Sequence, residues 1–215
     1  MKIHQHSNFY PQTFSYLCFN NDLSSVDDVT PKQNMATKEE FWDRKKKLND
    51  DFFVMGSVSH PATEEQIKKY EESTGFTFSE DVKDFLTSFG SLLFEVKEEI
   101  WKRPQEFDVL PSWKFGYGFF VYGLSQDEEM PSWMGFEEKH QEALEYKEKP
   151  LGQLFFKRSG NLYRAYTDNG IIKIEYDKYD EEDYEVFEGN IYDFLIEEIN
   201  NLEQDYLEYI NEGKS

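Results

Sequence analysis

The residues that could do chemistry in this chain are few, and their spacing argues against most reactions. The four histidines are His4, His6, His60 and His140. His4 and His6 could present two imidazoles on one side of a strand, but no Cys or carboxylate follows at metal-ligand spacing. His60 precedes Pro61, and His140 sits among charged residues, which suits neither for general-base work. Cys18 is the single cysteine. It has no neighbouring histidine to activate its thiol, so it reads as an inert buried group. Gly116-Tyr117-Gly118 lacks the third glycine and preceding strand of a dinucleotide loop and reads as a turn. Counting from Asp177, a calcium loop would need glycine at the sixth position, where Glu182 stands. No catalytic residue, metal site or cofactor is expected.

Charge and aromatic content are more informative. The chain has 215 residues and a formal net charge of −21. Phosphate recognition needs clustered Lys and Arg, so nucleic acid is excluded as a partner, and anionic membranes are disfavoured. From Glu175 to Ser215 there are 15 acidic residues against Lys178 and Lys214. Within that stretch Asp177, Asp180, Glu181, Glu182, Asp183 and Glu185 form the densest strip. It is either a solvated face or a surface that steers a cationic protein. Trp101, Trp113, Tyr117 and Trp133 lie in a stretch broken by Pro104, Pro111 and Pro131. Aromatics on such connections either anchor a partner or lid the core. A single cysteine, no signal-peptide pattern and no apolar run of spanning length predict a cytoplasmic protein.

The elements that would position these groups follow from periodicity. Residues 1–35 form an extension of uncertain structure, with Phe14 to Phe19 a possible short strand, and residues 36–215 read as one domain. Thr37 with Glu40, and Thr63 with Gln66, have capping-box spacing at the starts of two helices. Phe41 and Leu48 share a face of the first, and Gly75 suits the left-handed position that ends the second. Ser79 is placed to cap a third, along which Val82, Phe85, Leu86 and Phe89 recur at helical spacing until Gly90. Leu92, Phe94 and Val96 alternate with Leu93, Glu95 and Lys97, predicting a half-buried strand over 92–100. Further strands are expected at 119–124, 154–157, 162–166 and 171–176. Ser159-Gly160-Asn161 and Asp168-Asn169-Gly170 make tight turns between the last three. Ile191, Leu195, Ile199, Leu202, Tyr206 and Ile210 predict a long closing helix. The expected class is α+β: a mostly antiparallel sheet, a helix pair before it and a long C-terminal helix packed on it.

The run Ala62-Thr63-Glu64-Glu65-Gln66-Ile67, with Glu71, Gly75, Phe76, Phe78, Asp81, Phe85-Leu86 and Gly90, resembles the N-terminal signature of the SUKH superfamily (Smi/Knr type). Ser79 stands where that signature usually has proline, and Gly90 lacks the usual preceding asparagine. The segments 94–104 and 107–109 are similar to a bacterial subgroup, Phe119 to Leu124 to its central strand, and Tyr192-Asp193-Phe194-Leu195 to its last helix. The resemblance spans about residues 56–210. It implies a scaffold that binds rather than catalyses. The bacterial branch contains immunity proteins that neutralise a toxin, and the fungal members are cell-wall and signalling regulators. An acidic immunity protein would suit a basic nuclease toxin by faster association and charge mimicry.

Overall fold

Two capping boxes form as the sequence predicts. In a computed structural model that describes residues 35–101, 118–124, 130–146, 151–158, 163–176 and 184–212, Thr37 accepts from the Glu40 backbone N–H and Glu40 accepts from that of Thr37. These reciprocal bonds start α1 (Lys38–Lys46). Thr63 and Gln66 do the same for α2 (Glu64–Thr74). Gly75 ends α2 at φ 77°, the left-handed conformation that favours glycine. Helix α3 (Glu80–Ser88) differs from expectation at its start, because the Ser79 hydroxyl makes no cap bond and lies buried without a partner. Glu71 instead accepts from the Phe78 backbone N–H at 2.7 Å and fixes the α2–α3 turn.

Among the described residues, seven strands form one antiparallel meander, β1 to β7 in sequence order. They are β1 (Phe52–Gly56), β2 (Leu92–Val96), β3 (Gly118–Val121), β4 (Gln153–Arg158), β5 (Tyr163–Asp168), β6 (Ile171–Tyr176) and β7 (Tyr184–Phe187). The helix pair α2–α3 thus falls between β1 and the six later strands. Between β5 and β6, Asn169 at φ 51° and Gly170 at φ 82° make the primed turn that their types favour. The turn expected at Ser159-Gly160-Asn161 and the strand expected at Phe14 to Phe19 lie outside the described residues. All described residues belong to one unit, Asn34–Ser215.

Two strand expectations need correction. The strand over 92–100 stops at Val96, and a turn follows in which Ile100 and Trp101 donate back to Lys97. It is buried on both faces rather than one: Leu92, Leu93, Phe94 and Val96 are all fully enclosed. The strand over 119–124 leaves the ladder after Val121, and Gly123 bridges to Gly135.

Both burials have the same cause, a sheet covered on two sides. On one side Phe94 stacks on Phe119 at 4.8 Å, and Phe156 meets Phe194 edge-on at 4.9 Å. Phe194 belongs to α5 (Ile191–Glu212), the predicted closing helix. Phe41 of α1 completes this side through Phe89 and Phe94. Burying a phenylalanine fully contributes on the order of 2–3 kcal/mol, so this aromatic layer carries much of the fold. On the other side, Phe120 packs against Trp133 and Lys139 lies over the Tyr122 ring. Lys139 belongs to α4 (Phe136–Tyr146), a helix that the charged sequence around His140 concealed.

The start of α5 is fixed by three side chains. Asn190 accepts from the Tyr192 and Asp193 backbone N–H groups, and Asp193 accepts from that of Asn190. Asp81 of α3 accepts from the Ile191 N–H at 2.9 Å. Asp193 also accepts from the Ala36 N–H, which ties the entry to α1 to the same corner.

Candidate protein-binding face

The last strand is where acidic charge and exposed apolar surface meet. β7 ends the sheet, and among the described residues it pairs with β6 alone, in the register Ile172–Phe187, Lys173–Val186, Ile174–Glu185 and Glu175–Tyr184. Phe187 turns inward and packs edge-on against Phe194 at 5.3 Å, which anchors the strand to α5. Period-two alternation then assigns the rest. Glu185 shares the face of Phe187, and Tyr184 and Val186 share the opposite one. Tyr184 is 44% exposed and Val186 58% exposed, with Ile171 at 48% beside the start of β6. The Tyr176 hydroxyl donates to Glu185 at 3.2 Å.

The neighbouring positive charge lies against this face, with Lys173 Nζ 5.7 Å from the Tyr184 ring centroid, but it is already paired. Lys173, opposite Val186, donates to the Leu151 carbonyl and to Asp168, both at 2.9 Å. Glu188 follows β7 on the surface, and the outward positions of α5 include Glu197, Glu208 and Glu212. Part of the acidic excess of the sequence is thus exposed on β7 and α5.

Of the residues singled out as candidate partner contacts, three can be placed. Trp101 is half-buried and stacks on Tyr209 of α5 at 4.6 Å. Trp133 is half-buried in the 3-10 turn Ser132–Met134, edge-on to Phe120 at 5.4 Å. Both rings brace the core with one side, and the two lie on different connections. Glu185 is exposed on β7. Trp113, Tyr117, Asp177, Asp180, Glu181, Glu182 and Asp183 lie outside the described residues. Sequence reasoning passed over Tyr184 and Val186. The alternation Tyr-Glu-Val-Phe before Gly189 was the available signal, and the surrounding acids masked it.

Two other polar arrangements are built differently. Arg158, Tyr163 and Glu198 form a buried network between β4, β5 and α5. Burial pushes the Glu198 carboxyl up to about 6, although Arg158 and the Tyr163 hydroxyl pull it the other way. An open groove of about 540 Å³ runs between α2 and α3, lined by both acids and lysines. Its Lys83 is shared between Glu71 and Glu80 at 3.3 and 3.9 Å, so the groove carries mixed and mutually satisfied charge. Among the described residues, no group of three or more His, Cys, Asp or Glu side chains could hold a metal ion. No helix among them is long and apolar enough to cross a membrane. No family model matches the chain and no curated protein matches it, so a functional reading has to rest on its own residues.

Proposed function

We propose that this chain is a non-catalytic immunity protein that binds and neutralises a basic toxin domain in the cytoplasm. The observation that carries the reading is the coincidence at β7 of an exposed sheet edge, two exposed apolar side chains and the acidic surplus of residues 175–215. A surface of that kind attracts a cationic partner from a distance and offers apolar area for contact once it arrives. The sequence resemblance to the SUKH immunity branch supports the same class of function. Toxins that cleave nucleic acid present basic clefts, which a net charge of −21 would both attract and occlude.

The test is co-expression with the product of the neighbouring gene, followed by stopped-flow association at low and high salt. A one-to-one complex is expected, with an association rate that falls at least about tenfold between 0.05 and 0.5 M salt. Absence of a complex would remove the toxin reading. A complex whose association rate ignores salt would remove electrostatic steering.

A further inference from the structure

We propose, resting on the protein-binding reading above, that β7 receives an extended segment of the partner as an eighth strand, in which basic residues alternate with apolar ones. A terminal strand presents backbone N–H and C=O groups along its outer edge, and a partner strand can satisfy them in register. β7 holds that position and is tied down from behind by Phe187 against Phe194.

The sheet has two ends, and they differ in charge. β1 is preceded by Arg44, Lys45, Lys46 and Lys47, with Asp50 and Asp51 between them and the strand, so its approach carries a net positive charge. Its Phe52 is also occupied, packed edge-on against Tyr206 at 5.1 Å. β7 has Glu185 on the strand and Glu188 just beyond it, with Lys173 already engaged by Asp168 and the Leu151 carbonyl. A basic strand is therefore better matched at β7 than at β1.

The pleat also specifies the incoming side chains. Residues facing Tyr184 and Val186 gain apolar cross-strand contact, and residues facing Glu185 gain an opposite charge. A second copy of this chain is the poorer occupant. Joining two β7 edges sets Glu185-bearing strands side by side in molecules that each carry −21, and like charges across strands are destabilising.

The experiment titrates the full ¹⁵N-labelled chain with a peptide of about eight alternating Lys and Val residues, a typical strand length. An alternating Glu and Val peptide and a block Lys-then-Val peptide serve as controls. Backbone shifts and interstrand contacts at Tyr184–Phe187 are expected with the first peptide, and binding at least about tenfold weaker with either control. Val186→Lys and Glu185→Lys should each weaken binding about tenfold or more, and Glu208→Lys on α5 should retain most of it. Both β7 positions are exposed, and an unchanged thermal midpoint confirms that the variants fold. Binding that survives Val186→Lys, or shifts confined to α5 or the α2–α3 groove, would overturn strand addition, as would self-association that Val186→Lys abolishes. If the toxin partner binds with steep salt dependence but ignores Val186→Lys, the immunity reading stands and strand addition fails. If neither the peptide nor a cationic partner binds, both fail.

Discussion

Arg158 on β4 reaches Glu198 on α5 with Nη1 3.4 Å from Oε2, and neither side chain is more than 7% exposed. The Tyr163 hydroxyl donates to the same carboxylate oxygen at 2.5 Å, and Arg158 Nη2 donates to Asp205 at 2.5 Å. The guanidinium also sits 5.9 Å from the Phe119 ring centroid. Two strands and the closing helix are thus joined by the buried Arg158–Glu198 pair, with Asp205 a second carboxylate on the same guanidinium, inside an aromatic layer. That layer is the platform from which β7 projects, since Phe194 touches both Phe156 and Phe187.

Breaking this pair from one side should be far worse than replacing it. Arg158→Met leaves Glu198 buried without its cation and is expected to lower unfolding stability by about 3–5 kcal/mol. The double variant Arg158→Met/Glu198→Met removes both charges and should recover much of that loss. Urea titration at neutral pH measures both. A single-variant loss below about 1 kcal/mol would mean that water already reaches the pair.

The same carboxyl predicts a pH dependence of defined sign. Its folded value is raised to about 6 from 4.5 in the unfolded chain, so the native state binds the proton more tightly. The stability it contributes is fully present below pH 4.5 and is lost as pH rises through 6. The span corresponds to about 2 kcal/mol. Glu198→Gln lacks this titration, so wild type should lose about 2 kcal/mol relative to the variant between pH 4 and 6.5. Parallel stability curves for the two proteins would sink the assignment.

What could be read in the sequence was what local chemistry determines. Thr37, Thr63 and Gly75 specify helix ends through bonds made within a few residues, and all three behave as their types predict. Asn169-Gly170 specifies its turn in the same way. Burial depends on partners far along the chain, and there the sequence was opaque. Leu93 looked solvent-facing because nothing nearby shows that its side of the sheet is covered. α4 was hidden because its charged residues outnumber the few that bury, and β7 because it is short and acid-flanked. Charge pointed to the last third of the chain, where β7 lies, but exposure of Tyr184 and Val186 is a property of the assembled sheet.

Tyr70 offers a test of the corner where α2 meets β4. Its hydroxyl donates to Gln153 at 2.6 Å, and both residues are buried, 5% and 1% exposed. Its ring also stacks on Phe78 and tilts against Phe136, so it links α2 to β4 and to the start of α4. Tyr70→Phe keeps the ring and strands the Gln153 oxygen, which should cost about 1–3 kcal/mol. Adding Gln153→Leu removes the stranded group and should restore part of the loss. Chemical denaturation of the two variants decides it, and an unaffected single variant would show that the hydroxyl contributes nothing net.

Gly123 makes a close backbone contact that a conservative change can probe. Its N–H donates to the Met134 carbonyl at 3.2 Å, and its carbonyl accepts from the Phe136 N–H at 2.9 Å. A Cβ there would lie 2.1 Å from the Gly90 carbonyl oxygen. Gly90 cannot retreat easily, because its own φ is +66° and Ser57 is packed against it. Gly123→Ala should therefore cost about 1–3 kcal/mol through overpacking. Gly75→Ala is the natural comparison, since that position has a φ of +77° but nothing within 4 Å of an added Cβ. Its cost is conformational alone, about 1 kcal/mol. If Gly75→Ala proved the more damaging of the two in urea, the close approach of Gly123 to Gly90 would not be the constraint that shapes this corner of the sheet.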